Sequence, residues 1–140
     1  MTNNDKYVNA LSKVQYDKKN FDTYTTKFKA ALRMHPNKLD NVMLKGELNV
    51  LLKRQLVDSL EKNLKSDGTR VYTAAEVDAR VAELLAECKA EVASAIILTI
   101  IEVDPGLAHS LEDKHDGKGD AMWAALAKKH THAGNDTRQA

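Results

Sequence analysis

The chain has 140 residues, of which 43% are hydrophobic and 29% are charged, and its formal net charge is +1. This length suits one domain with one sizeable core, and the balanced charge provides no global field to recruit nucleic acid, a membrane or an acidic substrate. The single cysteine, Cys88, excludes an internal disulfide. Neither a signal pattern nor an apolar run of roughly 18 residues is present. The composition therefore predicts a cytosolic or nuclear protein, and we assign it to the cytoplasm.

The first clear helical pattern lies in the segment NFDTYTTKFKAALRM. Its apolar residues recur at three- and four-residue steps and therefore share one face: Phe21, Tyr24, Phe28, Ala31 and Leu32. Asn20 stands at the position of an N-cap, and HPN at 35–37 predicts the end of the helix, because proline disfavours helical geometry in the residue before it. We expect the aromatic face to lie in the core rather than to stack on bases.

One long amphipathic helix is predicted over residues 39–64, with an apolar stripe opposite Lys and Glu. Gly46 lies inside this helix and costs about 1 kcal/mol relative to alanine, which allows a kink or a close helix crossing there. KSDGTR at 65–70 predicts a turn. Thr73 and Glu76 then have the spacing of a capping box, which predicts the start of another helix.

That helix is predicted to extend to Ile101. Its second half, VASAIILTII, is apolar nearly all round, which is typical of a helix surrounded by partners, so we expect Ile96 and Ile100 at the centre of the core. Cys88 lies on the apolar stripe of the first half. We therefore expect a buried, unreactive thiol there rather than a nucleophile.

The segment DPG at 104–106 predicts a short helix, with Asp104 as its cap and Pro105 at its first position. The polar segment EDKHDGKG at 112–119 follows and predicts a mobile loop. Asp120 is then expected to cap the final helix.

The final helix carries the single tryptophan of the chain. Trp123 and Leu126 share one face, so we expect the Trp123 ring to close the core against AIILTII. Gly134 predicts the end of this helix. The expected domain therefore covers residues 1–134, followed by a flexible tail or truncation point at 135–140.

The polar residues show no pattern of a catalytic site: glycine-rich phosphate loop, HExxH and GxSxG are all missing from the sequence. HTH at 130–132, together with His109 and His115, has no Cys or carboxylate at ligand spacing, so we expect no metal site. We expect a protein that is not an enzyme and uses no cofactor or small-molecule substrate.

The first third of the chain is locally basic through six residues: Lys18, Lys19, Lys27, Lys29, Arg33 and Lys38. These residues alternate with the aromatic face, as expected for the solvated side of an amphipathic helix. Weak RNA contact is therefore a secondary expectation.

The order of three segments resembles the Gag polyproteins of copia-type LTR retrotransposons. In that family an N-Y-x-x-W-like segment leads into a helix ending A-L, followed by a helix reading like A-x-x-x-I-x-x-S-L and then by A-x-x-x-W-x-x-L. The matching residues here are Asn20, Tyr24, Ala31 and Leu32, then Ala95, Ile96, Leu98 and Ile100, then Ala121, Trp123 and Leu126. The resemblance implies an N-terminal capsid domain, without the C-terminal capsid domain and the CCHC zinc knuckle that often follow it.

We therefore predict an all-α bundle of about five to seven helices that resembles a retroviral-type capsid N-terminal domain. Such a domain would self-assemble into a virus-like particle shell through weak, repeated contacts between helix faces, because valence supplies the affinity. The predicted core anchors are Phe21, Tyr24, Phe28, Ile96, Ile100, Trp123 and Leu126. The predicted assembly face comprises Lys18, Lys27, Arg33, Glu112 and Lys114. The alternatives are a helical protein-binding module and a helical domain that binds nucleic acid weakly.

Overall fold

The computed structural model describes the backbone of residues 3–139 and the side chains of residues 5–131. Within that range the chain is all-helical, as predicted, and forms a bundle of seven helices. They are α1 (Asn3–Leu11), α2 (Phe21–Arg33), α3 (Asp40–Lys45), α4 (Val50–Glu61), α5 (Ala74–Ile100), α6 (Pro105–His115) and α7 (Gly119–Gln139). In the described part of the chain, none of these helices combines the length and apolar character needed to cross a bilayer.

Three predicted helix starts are confirmed by their capping hydrogen bonds. Asn20 accepts a hydrogen bond from a backbone N–H in the first turn of α2 (3.2 Å), and Asp104 does the same in α6 (3.1 Å). Thr73 and Glu76 form the predicted capping box of α5. The first turn of a helix leaves backbone N–H donors without intrahelical partners. A few residue types at the N-cap accept these hydrogen bonds, so helix starts can be recognised in the sequence.

The single long helix predicted over residues 39–64 is wrong, because this segment forms α3 and α4 with residues 46–49 between them. Gly46 ends α3 in the left-handed conformation (φ +68°), which other residues adopt only at a cost. Asn49 then caps α4 by accepting a hydrogen bond from the backbone N–H of Leu52 (3.1 Å). The apolar period continues through the break, so the period alone did not reveal it.

The polar segment 112–119 is also largely helical, and the prediction of a mobile loop is wrong. α6 extends to His115, so that only residues 116–118 separate it from α7. Lys114 lies in the last turn of α6, where the helix macrodipole favours a positive charge. Helical structure therefore covers most of a segment whose polarity suggested a loop, and only a short turn at 116–118 remains.

α7 differs from the prediction at both ends. It begins at Gly119, so that Asp120 lies in its first turn and pairs with Nζ of Lys89 on α5 (3.4 Å) instead of capping the helix. At the other end, α7 continues through Gly134 to Gln139. A glycine inside a helix costs about 1 kcal/mol, but it ends the helix only where the backbone turns left-handed.

The predicted core anchors all belong to one hydrophobic core. Six are buried and Phe21 is partly buried against them: Tyr24, Phe28, Ile96, Ile100, Trp123 and Leu126. The Trp123 ring stacks on Phe21 with centroids 5.5 Å apart and meets Phe28 edge-on at 5.7 Å. The tryptophan thus closes the core, and its aromatic neighbours lie on α2, which the sequence did not indicate.

α5 is not enclosed on all sides, contrary to the prediction. Val92, Ile96 and Ile100 are fully buried, whereas the side chain of Leu98 remains 65% exposed. α1, which the sequence did not predict, packs mainly against α2, and its Tyr7 is buried. The segment after α1 is attached to the end of α5, because the backbone N–H of Tyr16 donates to the carbonyl of Thr99 (2.8 Å).

Candidate functional site

An open groove of about 900 Å³ runs between α1 and α5. Its lining includes the buried side chains of Tyr7, Val14 and Ala95 and the exposed side chains of Val8 and Leu98. Large apolar side chains that stay exposed in one concave surface are typical of binding sites, because burying them against a partner is favourable. This groove is therefore the first candidate for a functional surface.

The α5 side of the groove is held in place by a polar contact with His35. Nδ1 of this buried histidine accepts the backbone N–H of Asn37 (3.0 Å), so Nε2 carries the hydrogen and donates to Oε2 of Glu91 (2.7 Å). The Tyr7 ring packs edge-on against His35 with centroids 4.7 Å apart. Burial, assisted by the charge of Glu91, raises the pKa of Tyr7 to about 12. A protonated phenol and an oriented carboxylate thus line the same groove.

Leu98 stands between this groove and a second depression of about 400 Å³ that extends to α6 and α7. Ala90, Ser94 and Leu98 line both depressions, and their four-residue spacing puts them on one outward stripe of α5. We call the two depressions with this stripe the α5 outer surface. Among the described residues that line it, five are acidic and one is basic: Glu87, Glu91, Glu102, Glu112, Asp116 and Lys13. The surface therefore has an apolar centre and an acidic surround.

A cleft of about 490 Å³ with the opposite charge adjoins the groove at Lys13, which lines both. Among the described residues that line this lysine cleft, four are lysines and one is acidic: Lys13, Lys18, Lys19, Lys27 and Asp17. The Asp17 carboxylate accepts the backbone N–H groups of Lys19 (2.9 Å) and Asn20 (3.1 Å). With four ammonium groups against this one carboxylate, the lysine cleft is electropositive.

Tyr16, which also lines the lysine cleft, connects it to α7. Its hydroxyl forms a hydrogen bond with Nε2 of His130 (2.6 Å), and the His130 ring stacks on Phe21 with centroids 4.1 Å apart. Burial lowers the pKa of His130, and the charges of Lys129 and Lys18 lower it further. The neutral imidazole is therefore favoured, and it serves as a packing and hydrogen-bonding group between α2 and α7.

No protein-family model, curated protein or solved structure matches this chain. The three segments that resemble Gag do pack together, since the rings of Tyr24 and Trp123 lie 6.0 Å apart and Ile96 belongs to the same core. Buried apolar residues at such positions suit many helical bundles, so membership of the Gag family stays a prediction.

The residues of the predicted assembly face lie in several different surroundings. Lys18 and Lys27 line the lysine cleft, whereas Nε of Arg33 pairs with Oδ2 of Asp40 (2.9 Å) at the end of α2. Glu112 lines the α5 outer surface. Lys114 is exposed in the last turn of α6 and lines neither the lysine cleft nor the α5 outer surface. The structure thus connects Glu112, and not the lysines, with exposed apolar side chains.

Two of the described histidines, His35 and His130, and the single cysteine pack against other side chains. Among the described residues, no three His, Cys, Asp or Glu side chains are grouped so that they could hold a metal ion, and the side chain of His132 lies outside the described residues. Cys88 is buried, as predicted. Burial raises the pKa of its thiol, whose Sγ accepts a hydrogen bond from the amide of Asn37 (3.7 Å).

Two contributors to the groove were missed by the sequence analysis. α1 supplies Tyr7, Val8 and Leu11, but a nine-residue helix shows barely two turns of apolar spacing and is marginal without tertiary contacts. Leu98 lies within an apolar run, where every direction around the helix is apolar. Which side of that run stays exposed depends on where α1 and α6 pack, and no sequence signal records this.

Proposed function

We propose that this chain is a structural domain that assembles with copies of itself, as expected of a capsid domain of the Gag type that it resembles. The observation that carries this proposal is the α5 outer surface, where Leu98 (65% exposed) and Val8 (56% exposed) remain accessible beside the central helix. We also propose that the protein works in the cytoplasm, as its composition predicts.

The size of the exposed surface supports weak association between copies. Burying one large aliphatic side chain contributes roughly 1.5–3 kcal/mol, and association must first offset lost translational and rotational freedom. A contact centred on Leu98 and Val8 would therefore be weak when it occurs once. Weak contacts of this kind suit a shell, because many of them act together once several copies are held in place and so give a stable assembly.

Light scattering over a wide concentration range tests this proposal. We expect monomers in dilute solution and growing oligomers at high concentration. Leu98→Gln should weaken association by about tenfold, the equivalent of 1.4 kcal/mol, because it removes an apolar contact without leaving a cavity. The matched control is Leu64→Gln, since Leu64 is similarly exposed (55%) but lies after α4, and this variant should associate as the parent protein does.

Two outcomes would contradict the proposal in different ways. A monomer at every concentration would reject self-assembly and favour the predicted protein-binding module. Normal association of Leu98→Gln, with loss of association in Lys27→Glu/Arg33→Glu, would place the contact on the polar face predicted from the sequence and not on the α5 outer surface.

We propose weak RNA contact at the lysine cleft as a second function. Four ammonium groups and one carboxylate line this cleft, whereas the whole chain has a net charge of only +1. Binding would therefore come from a few phosphate contacts and should fall steeply between about 50 and 200 mM salt.

Fluorescence anisotropy with a short single-stranded RNA tests this second proposal. Lys18→Glu/Lys27→Glu should abolish binding at low salt. The control Lys62→Glu/Lys65→Glu changes the net charge equally but lies outside the cleft, so it should retain most of the affinity. Equal loss in both variants would mean that the cleft is not the site.

A further inference from the structure

We infer that the α5 outer surface binds the corner between α3 and α4 of a second copy, in a head-to-tail contact. The inference rests on the proposed self-assembly and specifies its interface. The α3–α4 corner, residues 44–54, exposes three large apolar side chains: Leu44, Val50 and Leu51. α4 contains no buried residue. Its first turn therefore presents apolar side chains that the described monomer leaves uncovered.

The two surfaces have opposite charge. The described lining of the α5 outer surface contains five acidic residues and one basic residue. The α3–α4 corner and the depression beside it carry Lys45, Lys53 and Arg54 against Glu47 and Asp58, three basic residues minus two acidic residues, for a net charge of +1. An apolar centre with a rim of opposite sign on each partner gives both attraction and a defined orientation. Two copies of the α5 outer surface would instead repel each other, so a symmetric contact of this surface with itself is disfavoured.

The corner of one molecule does not face the α5 outer surface of the same molecule. Val81 and Leu85 line the depression beside the corner, whereas Glu91 and Leu98 line the groove on α5. At roughly 100° per residue, these two pairs point to different sides of the helix. The two surfaces can therefore meet only between molecules, and each copy can use both at once. Such a heterologous contact generates a ring or an extended array.

A charge-swap experiment tests this pairing. The first variant, Glu87→Lys/Glu102→Lys/Glu112→Lys, makes the α5 outer surface basic. The second variant, Lys53→Glu/Arg54→Glu, makes the α3–α4 corner acidic. None of these five residues is buried, so both variants should fold. Each variant alone then places like charges against each other, whereas in an equimolar mixture every contact between unlike chains is complementary. Sedimentation velocity over a concentration series would measure association.

We expect each variant alone to associate at least about tenfold more weakly than the parent chain, and the equimolar mixture to return to within about threefold of it. A chain carrying all five substitutions should also recover association. The controls are Asp78→Lys/Glu83→Lys/Asp113→Lys and Lys62→Glu/Lys65→Glu, which match the two sets of charge changes at exposed positions outside both surfaces. Both controls should associate like the parent.

The possible failures separate this inference from the proposed function. If the parent chain associates but the mixture does not recover, the α5 outer surface and the corner are not partners, although self-assembly itself remains supported. If only the α5 variant loses association, that surface binds some other part of the second copy, and the pairing is rejected. A parent chain that stays monomeric at all concentrations rejects both.

Discussion

Tyr24 on α2 donates a buried hydrogen bond to Oγ1 of Thr99 on α5 (2.7 Å). The direction of this bond follows from a second one, because the Thr99 hydroxyl donates its own hydrogen to the carbonyl of Ile96 (2.8 Å). Burial raises the pKa of Tyr24 well above its usual value, so the phenol keeps the hydrogen that it donates. The aromatic face of α2 is thus joined to the central helix by a bond with a defined donor and acceptor.

This direction predicts an asymmetry between two substitutions. Thr99→Val leaves the Tyr24 hydroxyl buried without its acceptor and should cost about 1–3 kcal/mol, whereas Tyr24→Phe leaves Thr99 bonded to Ile96 and should cost about 0.5–1.5 kcal/mol. Urea unfolding followed by circular dichroism measures both, and the double variant should cost less than their sum. Equal single costs with full additivity would show that the bond does not form as described.

Trp123→Ala should lower the free energy of unfolding by roughly 3–5 kcal/mol, since it removes a large ring from a well-packed core. The ring is 6% exposed and contacts Phe21 and Phe28. Thermal unfolding measures the loss, with Lys128→Ala on the exposed side of α7 as a control that should change little. Normal stability together with lost self-association would place Trp123 at an interface instead.

Two glycine substitutions should act in opposite directions. A Cβ at Gly119 would lie 2.6 Å from the backbone carbonyl oxygen of Lys89 and 2.5 Å from Cβ of Val92, so Gly119→Ala should force α7 away from α5 at a cost of about 1–3 kcal/mol. A Cβ at Gly106 would approach only Oδ1 of Asp104, at an ordinary 3.7 Å. Gly106→Ala should therefore stabilise α6 by up to about 1 kcal/mol. Chemical unfolding of both variants checks the signs, and a stabilising Gly119→Ala would contradict the close contact of α5 with α7.

Acidification should destabilise the protein through His130. The pKa of His130 lies below its ordinary value of 6.5 because of burial and the nearby charges of Lys129 and Lys18. The unfolded chain therefore takes up a proton before the folded chain does, so stability is fully present above about pH 6.5 and falls as the pH drops towards the lowered folded-state pKa. Thermal unfolding midpoints between about pH 7.5 and pH 5.5 should fall more in the parent chain than in His130→Gln. The same pH dependence in both would exclude His130 as the titrating group.

Much of the local structure could be predicted from single residues. Asn20, Thr73, Glu76 and Asp104 located three helix starts, since a capping side chain acts on the backbone within its own first turn. The break at Gly46 could not be located in the same way, because a glycine is compatible with both a helix interior and a left-handed end. The candidate site was even harder to predict from the sequence. Val8 and Leu98 are 90 positions apart in the chain, and only the tertiary arrangement, in which α1 packs on α2, brings them to one groove.

The sequence by itself determined the helical class and the identity of the core, because apolar periodicity depends on the geometry of each helix and on the burial of one face. Phe28, Ile96 and Trp123 are buried for that reason. Only the tertiary structure decided which side of α5 stays accessible and which charges surround it. Burial is a local preference that every apolar residue shares. Which apolar side chain stays exposed depends on how the neighbouring helices pack. Here α1, α6 and α7 leave Leu98 uncovered, with acidic residues around it.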